Sequence, residues 1–148
     1  GVFHPDLVGI QARVLKQLGS RHVMIVHGLD GLDEITLSGP TMIAELKNDH
    51  VEEYQIEPAM FGIKSVPTQA LRASDAAESK AILLAVLDNQ PGPARDIVAL
   101  NAGAAIYVSG HSATLKDGIS RAFEVLESGA AKQKPDQLAA ISQSFKSN

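Results

Sequence analysis

Val23-Met24-Ile25-Val26-His27-Gly28-Leu29-Asp30-Gly31-Leu32-Asp33-Glu34 is the stretch that decides how this chain is read. A short apolar run bounded by turn residues marks a buried strand. Two glycines then free the backbone for a tight loop. Three carboxylates, Asp30, Asp33 and Glu34, follow within five residues. In open α/β sheets, ligands sit outside the carboxyl ends of the strands. Adjacent carboxylates in such a place make a candidate metal or phosphate site; the same residues also describe a solvated acidic turn.

Upstream of this strand, Pro5 and Asp6 suit a helix start. Leu7, Ile10, Val14, Leu15 and Leu18 recur at helical spacing, and Gly19 closes the helix. The strand itself spans residues 22–27. Its unbroken apolar run suits a strand covered on both faces, as in a parallel sheet. Downstream, Ile35-Thr36-Leu37-Ser38 reads as a short strand stopped by Gly39-Pro40. Met42, Ala44 and Leu46 then share one face, as do Tyr54 and Ile56. With Asn48-Asp49 between them, residues 41–47 and 51–57 are expected to form an antiparallel hairpin. Residues 58–73 read as loop.

The remainder reads as helical. Asp75 and Glu78 have capping-box spacing, ahead of Ile82, Leu83, Val86 and Leu87 as an inward stripe. Gln90-Pro91-Gly92-Pro93 is a break. Pro93 opens a helix with Ile97, Leu100, Ala104 and Tyr107 on one stripe, and Ala102-Gly103-Ala104-Ala105 permits close approach of a neighbour. Thr114 and Asp117 cap a helix carrying Leu115, Ile119, Phe123 and Leu126. Pro135 opens a last one with Leu138, Ile141 and Phe145, and residues 146–148 are expected to fray. No repeat, low-complexity segment or domain boundary is evident.

Composition narrows the chemistry. The 148 residues make one domain by length. Aromatics are only 4% and Trp is absent, so the core must be aliphatic and alanine-rich. The net charge of −4 and pI near 5.7 lack the basic footprint of a nucleic-acid binder. Without cysteine there is no disulfide, no thiolate nucleophile and no thiolate metal site. Any metal must be held by oxygen or imidazole. No apolar run approaches the ~20 residues of a membrane span, and no signal peptide is visible, so a soluble, cytoplasmic protein without a membrane partner is expected. The start at Gly1-Val2-Phe3 suggests a piece of something longer.

Asp33 and Glu34 are the candidate metal ligands, because adjacent carboxylates can share Mg²⁺, which takes oxygen ligands and keeps waters. Asp30 reads as a turn-shaping residue. His22 and His27 fall on opposite strand faces. His4, His50 and His111 lie at element ends, and no histidine pair has metal-ligand spacing. Arg95 reads as a partner for a scaffold carboxylate. Asn101, mid-helix among small residues, reads as a buried polar group with a structural bond. There is no nucleophile elbow, Walker loop or Gly-x-Gly-x-x-Gly.

In order, Gly1-Val2-Phe3 with Pro5 and Leu7, Leu18-Gly19, His27-Gly28-x-Asp30-Gly31-Leu32-Asp33-Glu34-Ile35, Phe61-Gly62-Ile63, Arg95-Asp96-Ile97-Val98-x-Leu100-Asn101-Ala102, Ala105 with Tyr107, Leu115 with Gly118, and Ser128-Gly129 resemble the anthranilate phosphoribosyltransferase family. The resemblance covers nearly the whole chain. It implies an α/β fold of the nucleoside phosphorylase/phosphoribosyltransferase type: a mixed β-sheet with flanking helices and an antiparallel hairpin. It implies transfer of phosphoribosyl from phosphoribosyl pyrophosphate to anthranilate in tryptophan biosynthesis, with Mg²⁺ required and the metal role falling on Asp33 and Glu34. It also implies that residues 1–148 are one domain, the C-terminal portion of the catalytic domain of a homodimeric parent. The family's N-terminal helical domain, Gly-Thr-Gly-Gly-Asp phosphate loop, Lys-His-Gly stretch and anthranilate-contacting arginine do not occur in this sequence. On this reading the substrate contacts lie upstream, and the chain alone is expected to be inactive. Met60 stands where the family often has Asp before Phe-Gly. Two alternatives share the fold. A pyrimidine nucleoside phosphorylase-like enzyme typically lacks Gly-Leu-Asp-Glu here. A non-catalytic nucleic-acid-binding relative would be expected to lose the acidic pair and gain basic surface.

Overall fold

In a computed structural model, residues 1–145 are described, and the expected fraying of residues 146–148 lies outside them. Helix α1 (Leu7–Gln17) leads through Gly19, at φ +86°, into strand β1 (His22–Gly28). Strands β2 (Thr41–Lys47) and β3 (His50–Ile56) form the expected hairpin. Its turn residues Asn48 and Asp49 both have positive φ, 50° and 61°, the twist that two-residue hairpin turns require. Two 3₁₀ turns, Pro58–Phe61 and Thr68–Leu71, punctuate the loop that follows. Helices α2 (Ala76–Leu87), α3 (Pro93–Val108), α4 (Leu115–Glu127) and α5 (Lys134–Ser144) complete the chain.

The sheet order is β1-β2-β3, antiparallel throughout, with Val26 opposite Ile43 and Ile43 opposite Tyr54. This α/β arrangement of a sheet, a hairpin and flanking helices bears out the expected fold class, but among the described residues the sheet is purely antiparallel rather than mixed. The apolar run of β1 therefore reflects helices on both faces, not a parallel neighbour. On one face Ile25 and Ala44 pack under Val8 and Ala12 of α1. On the other, Val26, Ile43 and Ile56 meet Ile35, Leu37 and Ile63, then Leu100 and Ala104 of α3 and Ile119 of α4. Val86, Ala99, Ala122 and Leu126 join α2, α3 and α4. The small-residue run of α3 does bring α4 close: a β-carbon on Gly103 would lie 2.5 Å from Ile119 Cα.

Three expectations change. Residues 35–38 form no strand, although Ile35, Thr36 and Leu37 are all buried; instead of a ladder, side chains satisfy the Ile35 backbone and the Thr36 and Ser38 N–H groups, and Val66 N–H donates to Leu37 O at 3.1 Å. Helix α1 turns Val8, Gly9 and Ala12 inward, with Leu7 and Leu15 of the expected stripe packed beside them, and leaves Ile10, Val14 and, just past its end, Leu18 exposed, because small residues let it lie close on the sheet. Leu83 of α2 and the α5 stripe, Leu138, Ile141 and Phe145, are also exposed. Among the described residues no helix is long and apolar enough to cross a membrane.

Leu100 is fully buried, whereas Ile10 is 52% exposed. Leu100→Ala should therefore cost about 2–5 kcal/mol in urea denaturation through the cavity it leaves. Ile10→Ala should cost less than about 1 kcal/mol; equal losses would contradict the observed face of α1.

Candidate functional site

The carboxyl end of β1 runs directly into the acidic loop. Gly28 N–H donates to Leu32 O at 2.8 Å and Gly31 N–H to Gly28 O at 2.9 Å, with Gly31 at φ +94°. A β-carbon on Gly1 would overlap the carbonyl oxygen of Asp33, so the first residues shoulder this loop. They are tied there by Val2 N–H to Val26 O at 3.0 Å and by His27 Nδ1 against Val2 O at 2.8 Å. The Asp33 and Glu34 side chains face solvent, and neither enters an ion pair among the described residues.

The backbone just past this pair is held from α3. Ile35 N–H donates to Asn101 Oδ1 at 2.9 Å, and Asn101 Nδ2 donates to Ile35 O at 3.0 Å and to Ile97 O at 3.0 Å. Only this orientation of the amide satisfies all three partners. Ile35 is 2% exposed, so each of its backbone groups, left unpaired, would cost about 1–3 kcal/mol. Thr36 N–H, next along, donates to Thr41 Oγ1 at 3.1 Å. The structural bond expected of Asn101 is present, and its partner is the loop itself.

Asp30 does more than shape a turn. Its carboxylate accepts from Thr36 Oγ1 at 2.9 Å, from Ser38 Oγ at 2.6 Å and from Thr68 Oγ1. Thr68 comes from the second 3₁₀ turn, so Asp30 joins the loop to the 58–73 connection. Burial alone would raise the Asp30 pKa; the Ser38, Thr68 and Thr36 hydroxyls and the Leu32 amide outweigh it and hold it at about 2.

The remaining candidates are scaffold. Arg95 pairs with Asp96 at 3.3 Å, as expected, and also lies over the Phe123 ring. His111 meets Ser109 Oγ, and His4 accepts from Asp6 N–H. At the far end of β1, His22 Nε2 lies 2.9 Å from Glu45 Oε1, while Tyr54 and Tyr107 hydroxyls each donate to Glu45 at 2.7 Å. Burial would raise the Glu45 pKa, but these partners outweigh it and lower it. The network fastens the end of α3 to the sheet. Sequence reading passed over Glu45 because it sits among apolar residues of a hairpin strand; its signal was a charge on a buried face.

Among the described residues no group of three or more His, Asp or Glu could hold a metal. Asp33 and Glu34 are thus a two-carboxylate arm. Their donor set, exposed and oxygen-only, fits a hard cation that keeps waters and takes further oxygens from elsewhere.

A family model described as "Glycosyl transferase family, a/b domain" matches residues 1–132. The anthranilate phosphoribosyltransferase of Chromobacterium violaceum is 66% identical over 142 residues, 96% of this chain and 42% of its own length. That of Laribacter hongkongensis is 65% identical, with 95% and 41% covered. The crystal structure of the Thermus thermophilus enzyme superposes with a TM-score of 0.85 at 35% identity, covering 95% of this chain and 41% of that one. The Saccharomyces cerevisiae enzyme in complex with PRPP and Mg gives 0.79 at 26%, with 90% and 39% covered. The chain thus spans about two fifths of the length of these relatives.

Asp30 gives a pH test. Its folded pKa of about 2 lies below the ordinary 3.8, so its contribution is present above pH ~4 and is lost as pH falls from there through 2. The thermal-midpoint gap between the native chain and Asp30→Asn should shrink over that window; a gap constant from pH 5 to 2 would contradict the clamp.

Proposed function

The chain belongs to the glycosyl transferase family, through the α/β domain that residues 1–132 match, and on that premise we propose that it is the C-terminal part of an anthranilate phosphoribosyltransferase. The whole enzyme moves the phosphoribosyl group of phosphoribosyl pyrophosphate onto the anthranilate amine. The ribose C1–N bond forms, the C1–O bond to pyrophosphate breaks, and the amine proton passes to solvent. The observation that carries this reading is the anchored, solvent-facing Asp33–Glu34 pair in a chain 66% identical to such an enzyme.

Mg²⁺, present with PRPP in the Saccharomyces cerevisiae relative, would supply charge stabilisation for the departing pyrophosphate. In this chain Asp33 and Glu34 would hold it. They lie past the carboxyl end of β1, where α/β sheets receive ligands. Gly31, at φ +94°, lets the backbone turn sharply, and Gly28, where a β-carbon would lie 2.6 Å from Asp30 Oδ1, leaves room for the Asp30 and Thr36 side chains behind the loop. The phosphate cradle and the anthranilate pocket belong to the part of the enzyme outside this sequence, so the chain contributes one wall of the site.

Three assays test this reading. The isolated chain, given Mg²⁺ and both substrates, is expected to show no turnover. Fused behind the N-terminal portion of the Chromobacterium violaceum enzyme, it is expected to give Mg²⁺-dependent turnover; a folded fusion that turns over neither substrate would contradict the assignment. In that fusion, Asp33→Asn with Glu34→Gln should lower turnover by about a hundredfold or more and weaken the Mg²⁺ dependence. An unchanged Mg²⁺ profile would remove the metal role.

A further inference from the structure

We propose that Asn101 is the positioning residue of the metal arm: its side-chain amide, fixed on α3, sets where the Asp33 and Glu34 carboxylates point. This rests on the reading of that pair as Mg²⁺ ligands. Residues 33 and 34 lie between two anchored points. Leu32 O accepts from Gly28 N–H on one side, and both backbone groups of Ile35 pair with Asn101 on the other. Two residues between fixed ends have little backbone freedom left, so the Asp33 and Glu34 side chains project from a held stretch of chain, with no strand and, among the described residues, no ion-pair partner to place it.

The anchor is itself set by the core, not by the loop. Ala99 and Leu100 beside it are fully buried, and Gly103 two residues on lies against Ile119 of α4. The bond from Asn101 Nδ2 to Ile97 O, one turn back, fixes the side chain's own rotamer. Aspartate at this position would set a carboxylate against two carbonyl oxygens, and glutamine would be a methylene too long. The residue's work is thus transmission: the position of α3 in the core becomes the position of two exposed carboxylates. Partners that orient metal ligands from behind commonly change metal affinity by about 10- to 100-fold when removed.

Two measurements separate this from a general contribution to stability. In the 148-residue chain, Asn101→Ala should speed hydrogen exchange of the Ile35 amide while core amides of β2 stay protected. In the active fusion, Asn101→Ala should raise the half-saturating Mg²⁺ concentration by about tenfold. Saturating Mg²⁺ should recover most of the rate, and the KM for anthranilate should not move. Asn101→Ser, which keeps a smaller donor and acceptor, should fall between and serves if the alanine variant folds poorly. Leu46→Ala, a core change in β2 opposite Val23 at the end of the sheet away from the loop, should lower the thermal midpoint without shifting Mg²⁺ dependence. The proposal is overturned if Ile35 exchanges freely while the Mg²⁺ requirement is unchanged, or if Leu46→Ala shifts that requirement as much. If Asp33→Asn with Glu34→Gln alone leaves the Mg²⁺ profile flat, it is the metal reading that fails.

Discussion

The backbone of Ile35 is buried without a strand to pair with, and the amide of Asn101 takes the strand's place. That substitution ties together elements far apart in sequence. Buried N–H and C=O groups must be satisfied, and a segment that cannot join a sheet finds side chains instead. Here one asparagine both completes the core and fixes the loop that bears the two outward carboxylates. Asp30 braces the same loop from the opposite flank, through hydroxyls of Thr36, Ser38 and Thr68.

Helix α3 is held at both ends. Near its start, Arg95 pairs with Asp96 and covers the Phe123 ring. At its end, Tyr107 donates to Glu45 on the sheet, and Lys47 Nζ donates to the Tyr107 hydroxyl at 2.9 Å. Between them, the close seat of Gly103 on α4 fixes its depth. A helix so constrained can act as a rigid reference for a loop. Sites built on rigid elements hold their geometry better than sites left to loops alone.

The hairpin was readable because its signal is local: alternation on both strands and a two-residue turn tolerant of positive φ. The acidic loop was readable for the same reason, since strand, glycines and carboxylates are contiguous. The identity of the inward face of α1 was not, because hydrophobicity favours Ile10 and Val14 while close packing favours Gly9 and Ala12. Residues 35–38 alternate like a strand, but their partners, the Asn101 and Thr41 side chains and one isolated backbone N–H from Val66, are ones that no periodicity reveals. Asn101 stood out as a polar residue in an apolar helix, yet its partner lies 66 positions away. The exposed stripes of α2 and α5 show a further limit: a period tells which residues share a face, not whether anything covers it.

If the Asp33–Glu34 arm, held by α3, is where a metal binds, as proposed, paramagnetic Mn²⁺ added to the isotope-labelled chain should broaden most the amides of residues 32–36, and Asp33→Asn with Glu34→Gln should abolish that broadening. Broadening centred on another acidic stretch, such as Glu52-Glu53 of β3, or none near the loop, would contradict it.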